Sequence, residues 1–174
     1  MLGKTNALRK EEKALPLRNC LAKSIRLKDS VIPGISVGEH CRIAGFVGYS
    51  LLKKFCPFKE EKLFANGAIL LAACHDIGKI SPDFQKKIYS CLSDYDPSSY
   101  PEFAFANADN AKGKGTSFHA KVTQAALADC PQYISLIEGM HHGFKPNNSP
   151  IVEDGYGGKA WTQKRHELLS ELEN

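Results

Sequence analysis

Apolar residues along this chain recur at helical spacing, and nowhere do they alternate as a half-buried strand would. Ile43, Phe46, Val47, Leu51, Leu52 and Phe55 recur at helical spacing in a helix predicted from about Glu39 to Lys54 and ended by Pro57. The next run, from about Glu60 to Ile77, is apolar on nearly every side between Ala68 and Cys74, which predicts a helix buried at the centre of its domain. Gly78 fits the position just past its C-terminus. Ser81-Pro82-Asp83 reads as a helix start, with a hydroxyl cap, proline at the first helical position and an acid facing the positive dipole end; that helix runs to about Cys91. Further helices are predicted over Ser117 to Asp129, with Val122, Ala125 and Ala126 on one side, and from Pro131 through Ile134, Leu136, Ile137 and Met140 to His141 and His142, where Gly143 ends it. Lys159 to Leu172 forms a final amphipathic helix, and Leu15 to Leu27 a first helix or an ordered arm.

Between these elements, Val31 to Gly38 holds Pro33, Gly34 and Gly38 and reads as a loop. Ser93 to Thr116, with Pro97, Pro101, Gly113 and Gly115, is a long loop that either guides a ligand or is mobile. A Gly, Pro and Asn-rich stretch follows Gly143 to about Gly158. The expected fold is all-α, a helical bundle with long connecting loops. Residues 1–14 are expected to be a mobile N-terminal arm, and 15–174 a single domain.

Composition narrows the class. At 174 residues and 43% hydrophobic the chain can build one modest core, and 24% charged residues argue against global disorder. A net charge of +4 is compatible with an anionic partner without demanding one. The six cysteines (Cys20, Cys41, Cys56, Cys74, Cys91 and Cys130) include no C-x-x-C pair, which excludes a zinc ribbon or a thioredoxin-like motif. They read as reduced thiols, Cys74 as a small core residue. Met1 to Arg18 has no apolar signal-peptide core, and Phe64 to Cys74, the longest nearly apolar stretch, is too short to span a bilayer. A cytoplasmic location without membrane contact is expected.

Six residues carry candidate chemistry: His40, His75, Asp76, His119, His141 and His142. Each falls at or near a predicted helix end or first turn, where side chains from separate helices can converge. Imidazole nitrogens and a carboxylate oxygen suit Mn, Fe, Co, Ni or Zn. A carboxylate can bridge two ions where a histidine does not, so one Asp among several His suggests two metals sharing Asp76. Two ions roughly 3.5–4 Å apart activate a water and hold both the attacking and the leaving oxygen of a phosphodiester. Against this stands the bland alternative: a lone His-Asp pair is common by chance, and histidines near helix ends often only cap or fill a core. His141-His142 can simply complement a helix C-terminus. Lys79 is either a cation for a phosphate oxygen or a solvated lysine, and His166 reads as a surface residue.

The run His75-Asp76-Ile77-Gly78-Lys79-Ile80-Ser81-Pro82-Asp83-Phe84-Gln85 changes the balance. It resembles the HD motif of the nuclease domain in CRISPR-associated type I helicase–nucleases. His40 opening a helix, Phe118-His119-Ala120 and Met140-His141-His142-Gly143 are similar to that family's remaining histidine motifs, in the same order. Trp161 and Arg165 ahead of Leu168 and Leu169 resemble the helix that follows, so the resemblance spans about Gly38 to Leu172. It implies an HD-domain helical bundle holding two divalent transition-metal ions (Mn, Ni, Co or Fe, with Mg as a further option). One would be held by His40, His75 and Asp76, the other by Asp76, His119, His141 and His142. Asp76 and Lys79 are the implied catalytic residues, Lys79 steadying the scissile phosphate.

The implied activity is endonucleolytic cleavage of single-stranded DNA, exposed by a CRISPR surveillance complex carrying guide RNA and fed by a superfamily-2 helicase, fused or separate. The family supplies a last metal-binding Asp on a helix well downstream of the histidine pair. Here the acids after His142 are Glu153, Asp154, Glu167, Glu171 and Glu173, and Asp154 comes too soon. The chain is therefore expected to be a fragment of a larger nuclease–helicase, with the HD domain incomplete at its C-terminus. The alternatives are an HD phosphohydrolase of small nucleotides and a non-catalytic module that binds the surveillance complex.

Overall fold

The computed structural model describes residues 12–55, 67–106, 118–143 and 152–173. Six α-helices stand among them: α1 (Val37–Phe55), α2 (Ala68–Cys74), α3 (Pro82–Tyr89), α4 (Phe118–Ala126), α5 (Gln132–Gly139) and α6 (Lys159–Glu173). The mostly helical bundle expected from the hydrophobic pattern is the observed architecture. The remainder of the predicted arm (residues 1–11), Pro57, the first part of the second predicted helix, and the loop portions 107–117 and 144–151 lie outside the described residues.

One correction concerns the N-terminal segment. Where a first helix or arm and then a loop were expected, Leu17–Asn19 makes a single 3-10 turn, and β1 (Ser24–Arg26) pairs antiparallel with β2 (Val31–Pro33), Ile25 opposite Ile32. Strands of three residues are too short to display a period of two, and most of their side chains are exposed. The hairpin is pinned from outside: Val31 N–H donates to Ser93 Oγ (2.8 Å), and Ser93 N–H donates to Val31 O (3.0 Å). Ahead of it, Leu15 is buried, and Glu12 accepts a hydrogen bond from the Lys159 amide at the start of α6 (2.9 Å), where an acid meets the positive dipole end.

α1 and α2 pack closely because small residues face each other. A Cβ on Gly48 would lie 2.9 Å from the Ala72 Cβ, and one on Gly45 would lie 3.0 Å from that of Ala73. α2 is not buried on every side as its composition predicted. Ala73 and Cys74 are buried, while Ile69 is 40% exposed. The helix enters the core end-on, so its last turn is covered and its first turn is not.

α3 starts where predicted, with Ser81 extended at the N-cap and Pro82 at the first helical position, but the Ser81 hydroxyl makes no capping bond. Within the described part of the expected long loop there is regular structure. Residues 97–105 form two 3-10 turns, and Tyr100 packs between Tyr89 (4.7 Å between ring centroids) and Phe103 (5.3 Å), with Tyr95 stacked on it. Aromatic rings at Tyr100 and Phe103 supply the apolar area that fixes this stretch against α3.

α6 buries Trp161, Arg165 and Leu168, one helical face, completely. They join Cys20, Val37, Cys41, Ile77 and Ile80 in the central core. All five N–H groups of the Arg165 guanidinium have acceptors nearby: Glu153 Oε1 (2.7 Å), Ile80 O (2.9 Å), Thr162 Oγ1 (2.9 Å), Glu153 O (3.3 Å) and Tyr156 O (3.4 Å). No described helix is long and apolar enough to cross a membrane.

Candidate metal centre

The site is built on the turn that leaves α2. His75 closes the helix, Asp76 follows, and Ile77–Lys79 makes a 3-10 turn whose Ile77, like Ile80 after it, is fully buried. Gly78 does not serve as the expected left-handed glycine past the helix end, since its φ is not positive. It is required for another reason. A Cβ there would collide with the carbonyl oxygen of His119 and the amide nitrogen of Thr123, so the turn lies directly on the α4 backbone. Gly78 N–H donates to Thr123 Oγ1 (3.0 Å), and that hydroxyl donates to the His75 carbonyl (3.1 Å). From the other side Gln85, fully buried, accepts from Leu21 N–H (2.8 Å) and donates to the carbonyls of Leu21 (3.0 Å) and Lys79 (2.8 Å).

All the side chains singled out in the sequence converge on Asp76, apart from His166, which lies at the surface beside Glu153 (2.8 Å). Asp76 Oδ2 is 2.8 Å from His40 Nε2, 3.1 Å from His75 Nε2 and 2.7 Å from Lys79 Nζ. Asp76 Oδ1 is 3.1 Å from His119 Nε2 and 3.7 Å from His141 Nε2. His119 Nε2 in turn lies 2.7 Å from His142 Nε2 and 3.4 Å from His141 Nε2. The carboxylate thus turns one oxygen to each of two half-sites. The donor atoms of His40, His75 and Asp76, and those of Asp76, His119, His141 and His142, form two groups, each gathered within 4.8 Å.

Electrostatics follow from this packing. Burial pushes the Asp76 carboxyl up, but hydrogen bonds from His119, His75 and Lys79, with the Lys79 charge, outweigh it and hold the group far below the usual carboxylate range. Burial lowers His40, His141 and His142, favouring neutral imidazoles. His75 is raised, first by its contact with Asp76.

The donor set fits divalent cations. His75 Nδ1 lies 2.8 Å from the Ala72 carbonyl and His141 Nδ1 2.5 Å from that of Glu138, and a carbonyl only accepts, so each Nδ1 carries the proton. In the neutral ring the Nε2 lone pair then points inward. For a neutral His75 it would meet a carboxylate oxygen that also offers only lone pairs, so without a cation the ring answers Asp76 by holding a second proton, the direction of its shift, and His141, His142 and His119 crowd three Nε2 atoms together. A positive centre between such donors removes the repulsion. Fixed tautomers, neutral nitrogens and one two-faced carboxylate are what imidazole-preferring metals require.

Four contributors were not assigned roles from the sequence. Thr123 and Gln85 brace the turn, and Phe84 sets its ring edge-on to His119 (5.2 Å) and beneath Lys79 Nζ (5.5 Å). Glu138, buried in α5, is the fourth; burial raises its carboxyl to about 7. Thr123 falls one turn after His119, the only signal it offered. Among the acids after His142, Glu153 pairs with Arg165, Glu167 with Lys164 and Glu171 with Arg42.

The family model described as "Cas3, HD domain" matches residues 43–174. The chain belongs to this family. It is therefore a CRISPR-associated HD nuclease domain, of a family of metal-dependent nucleases that act on DNA. The Cas3 HD match begins three residues after His40, whose inclusion in the centre rests on its position against Asp76. No curated protein and no solved structure matches the chain.

Proposed function

We propose that this Cas3 HD domain is a two-metal endonuclease for single-stranded DNA. The observation that carries the reading is the division of Asp76, one oxygen facing His40 and His75, the other facing His119 and His141. His40, His75 and Asp76 would hold one divalent ion and Asp76, His119, His141 and His142 a second, with Mn, Ni, Co or Fe favoured by the nitrogen-rich set and Mg as a further option. Bound there, the ions would supply Lewis acidity and an activated water for phosphodiester hydrolysis. The backbone carbonyls of Ala72 and Glu138 keep His75 and His141 in the ligating tautomer. Lys79, 2.7 Å from Asp76 Oδ2, stands at the rim and would turn its ammonium to a scissile phosphate oxygen once the carboxylate is engaged elsewhere.

Residues 15–174 would form this domain and 1–14 its arm. Family membership supports a substrate strand opened by a guide-RNA surveillance complex and delivered by a superfamily-2 helicase, fused or separate. The free thiols of Cys20, Cys41, Cys74, Cys91 and Cys130 suit the reducing cytoplasm.

The test is nicking of circular single-stranded DNA with Mn, Ni or Co, alongside a panel of small nucleotides. Asp76→Ala is expected to abolish nicking while the circular dichroism spectrum stays helical. Cleavage retained by that variant overturns the reading, and turnover of nucleotides alone moves it to a small-molecule phosphohydrolase.

A further inference from the structure

Glutamate is rarely buried without a partner. Glu138 is nevertheless 3% exposed, in the last turn of α5, and its Oε2 has no hydrogen-bond partner among the described residues. Nothing in the helix calls for an acid there. Its place does: Glu138 stands one turn ahead of His141 and His142, on the element that delivers both to the site. Its own backbone carbonyl holds His141 Nδ1 at 2.5 Å. One residue therefore orients a candidate ligand through its main chain and carries a buried carboxylate with an unpartnered oxygen one turn away from it. It stands outside both groups of converging donor atoms, so it is not a direct ligand.

The charge of those groups is unbalanced. Five imidazoles contribute no negative charge, and Asp76 is the single carboxylate among them. Two divalent cations would bring four positive charges into a buried site against one negative. Uncompensated charge in a low-dielectric interior is costly, and a nearby fixed countercharge reduces that cost.

We infer that Glu138 is a positioning residue of the metal centre, a second buried carboxylate that offsets cation charge from the turn preceding His141 while its backbone fixes that histidine. The inference rests on the two-metal reading above. It requires the charge of the side chain as well as its shape.

Binding of Co(II) to the chelator-treated full chain tests it at pH 8, by titration calorimetry and by the visible absorption of the bound ion. Glu138→Gln keeps the volume and removes the charge. It is expected to weaken Co(II) binding about 10–100-fold, the range for residues that support ligands from outside the coordination sphere. The melting temperature of the metal-free variant is expected to equal or exceed that of the parent, because an unpaired buried acid has been replaced by a neutral group. Glu138→Ala should weaken binding similarly while also lowering the metal-free melting temperature. Co(II) affinity within twofold of the parent in Glu138→Gln overturns the inference. So does a loss of affinity matched by a lower metal-free melting temperature in that variant, which marks a merely structural role. A parent chain that binds no Co(II) at all overturns the metal reading itself, a result distinct from either.

Discussion

Gly78→Ala is the sharpest test of how the site is supported. The added methyl meets main-chain atoms of His119 and Thr123, so no flexible side chain can swing away to admit it. Relief requires α4 to move off the turn. Overpacking of this kind costs about 1–3 kcal/mol. Displacing α4 also breaks the Gly78 N–H bond to Thr123 Oγ1, worth about 1 kcal/mol. The sum is about 2–4 kcal/mol, a large share of the roughly 5–15 kcal/mol that holds a domain together. With a urea slope of about 2 kcal/mol/M, the unfolding midpoint of the chelated protein should fall by about 1–2 M. Gly155→Ala serves as the control, since a Cβ there meets nothing within 4 Å and its φ is not positive; it should be neutral or stabilising by up to about 1 kcal/mol. Gly78→Asn separates close approach from a left-handed cap: a cap position tolerates Asn, whereas this contact makes Asn worse than Ala. A Gly78→Ala midpoint equivalent to less than about 0.5 kcal/mol from the parent, the range of an ordinary surface substitution, would refute the close-approach argument.

Two further outcomes follow from burial. Arg165→Ala strips partners from the Ile80 carbonyl and Glu153 and should destabilise by about 3 kcal/mol or more, and Arg165→Lys should not restore it, because one ammonium cannot span those acceptors; a lysine variant that melts with the parent contradicts this. Cys20, Cys41 and Cys74, each pushed up to about 12 by burial, should stay silent to a thiol reagent at pH 8 until urea is added, while exposed Cys91 reacts at once; native labelling of any of the three counts against the packing described.

Much of the candidate centre was legible because its side chains, gathered from several helices, stand at or near helix ends, and helix ends are what sequence marks best. Gly143, at φ +77°, closes the turn carrying His141 and His142 as the sequence indicated, and Pro82 opens α3. The hydrophobic period likewise placed α1 and α6, but in α1 the apolar residues that marked it, Ile43, Phe46, Val47, Leu51 and Phe55, are exposed, and Val37, Cys41 and Gly45 are the ones buried. What escaped was set by tertiary contact. Three-residue strands held by Ser93 carry no period of their own. The role of Gly78 depends on a helix some forty residues on, and nothing local separates a glycine needed for its φ from one needed for its missing methyl. Thr123 and Glu138 sit within helices, where a polar residue looks solvated until neighbouring helices bury it.

The bracing of the His75–Ile80 turn carries a consequence for how the site comes into being. Its supports are Leu21 through Gln85, Thr123 against Gly78, and Arg165 on the Ile80 carbonyl, so they come from segments well before and well after it in sequence. During synthesis the turn leaves the ribosome long before Arg165 does. Until that arginine emerges the turn lacks one of its three braces. Contacts so distant in sequence also make the last assembly step slow. The frame around the His75–Ile80 turn is complete only once the segment carrying Arg165 has been made.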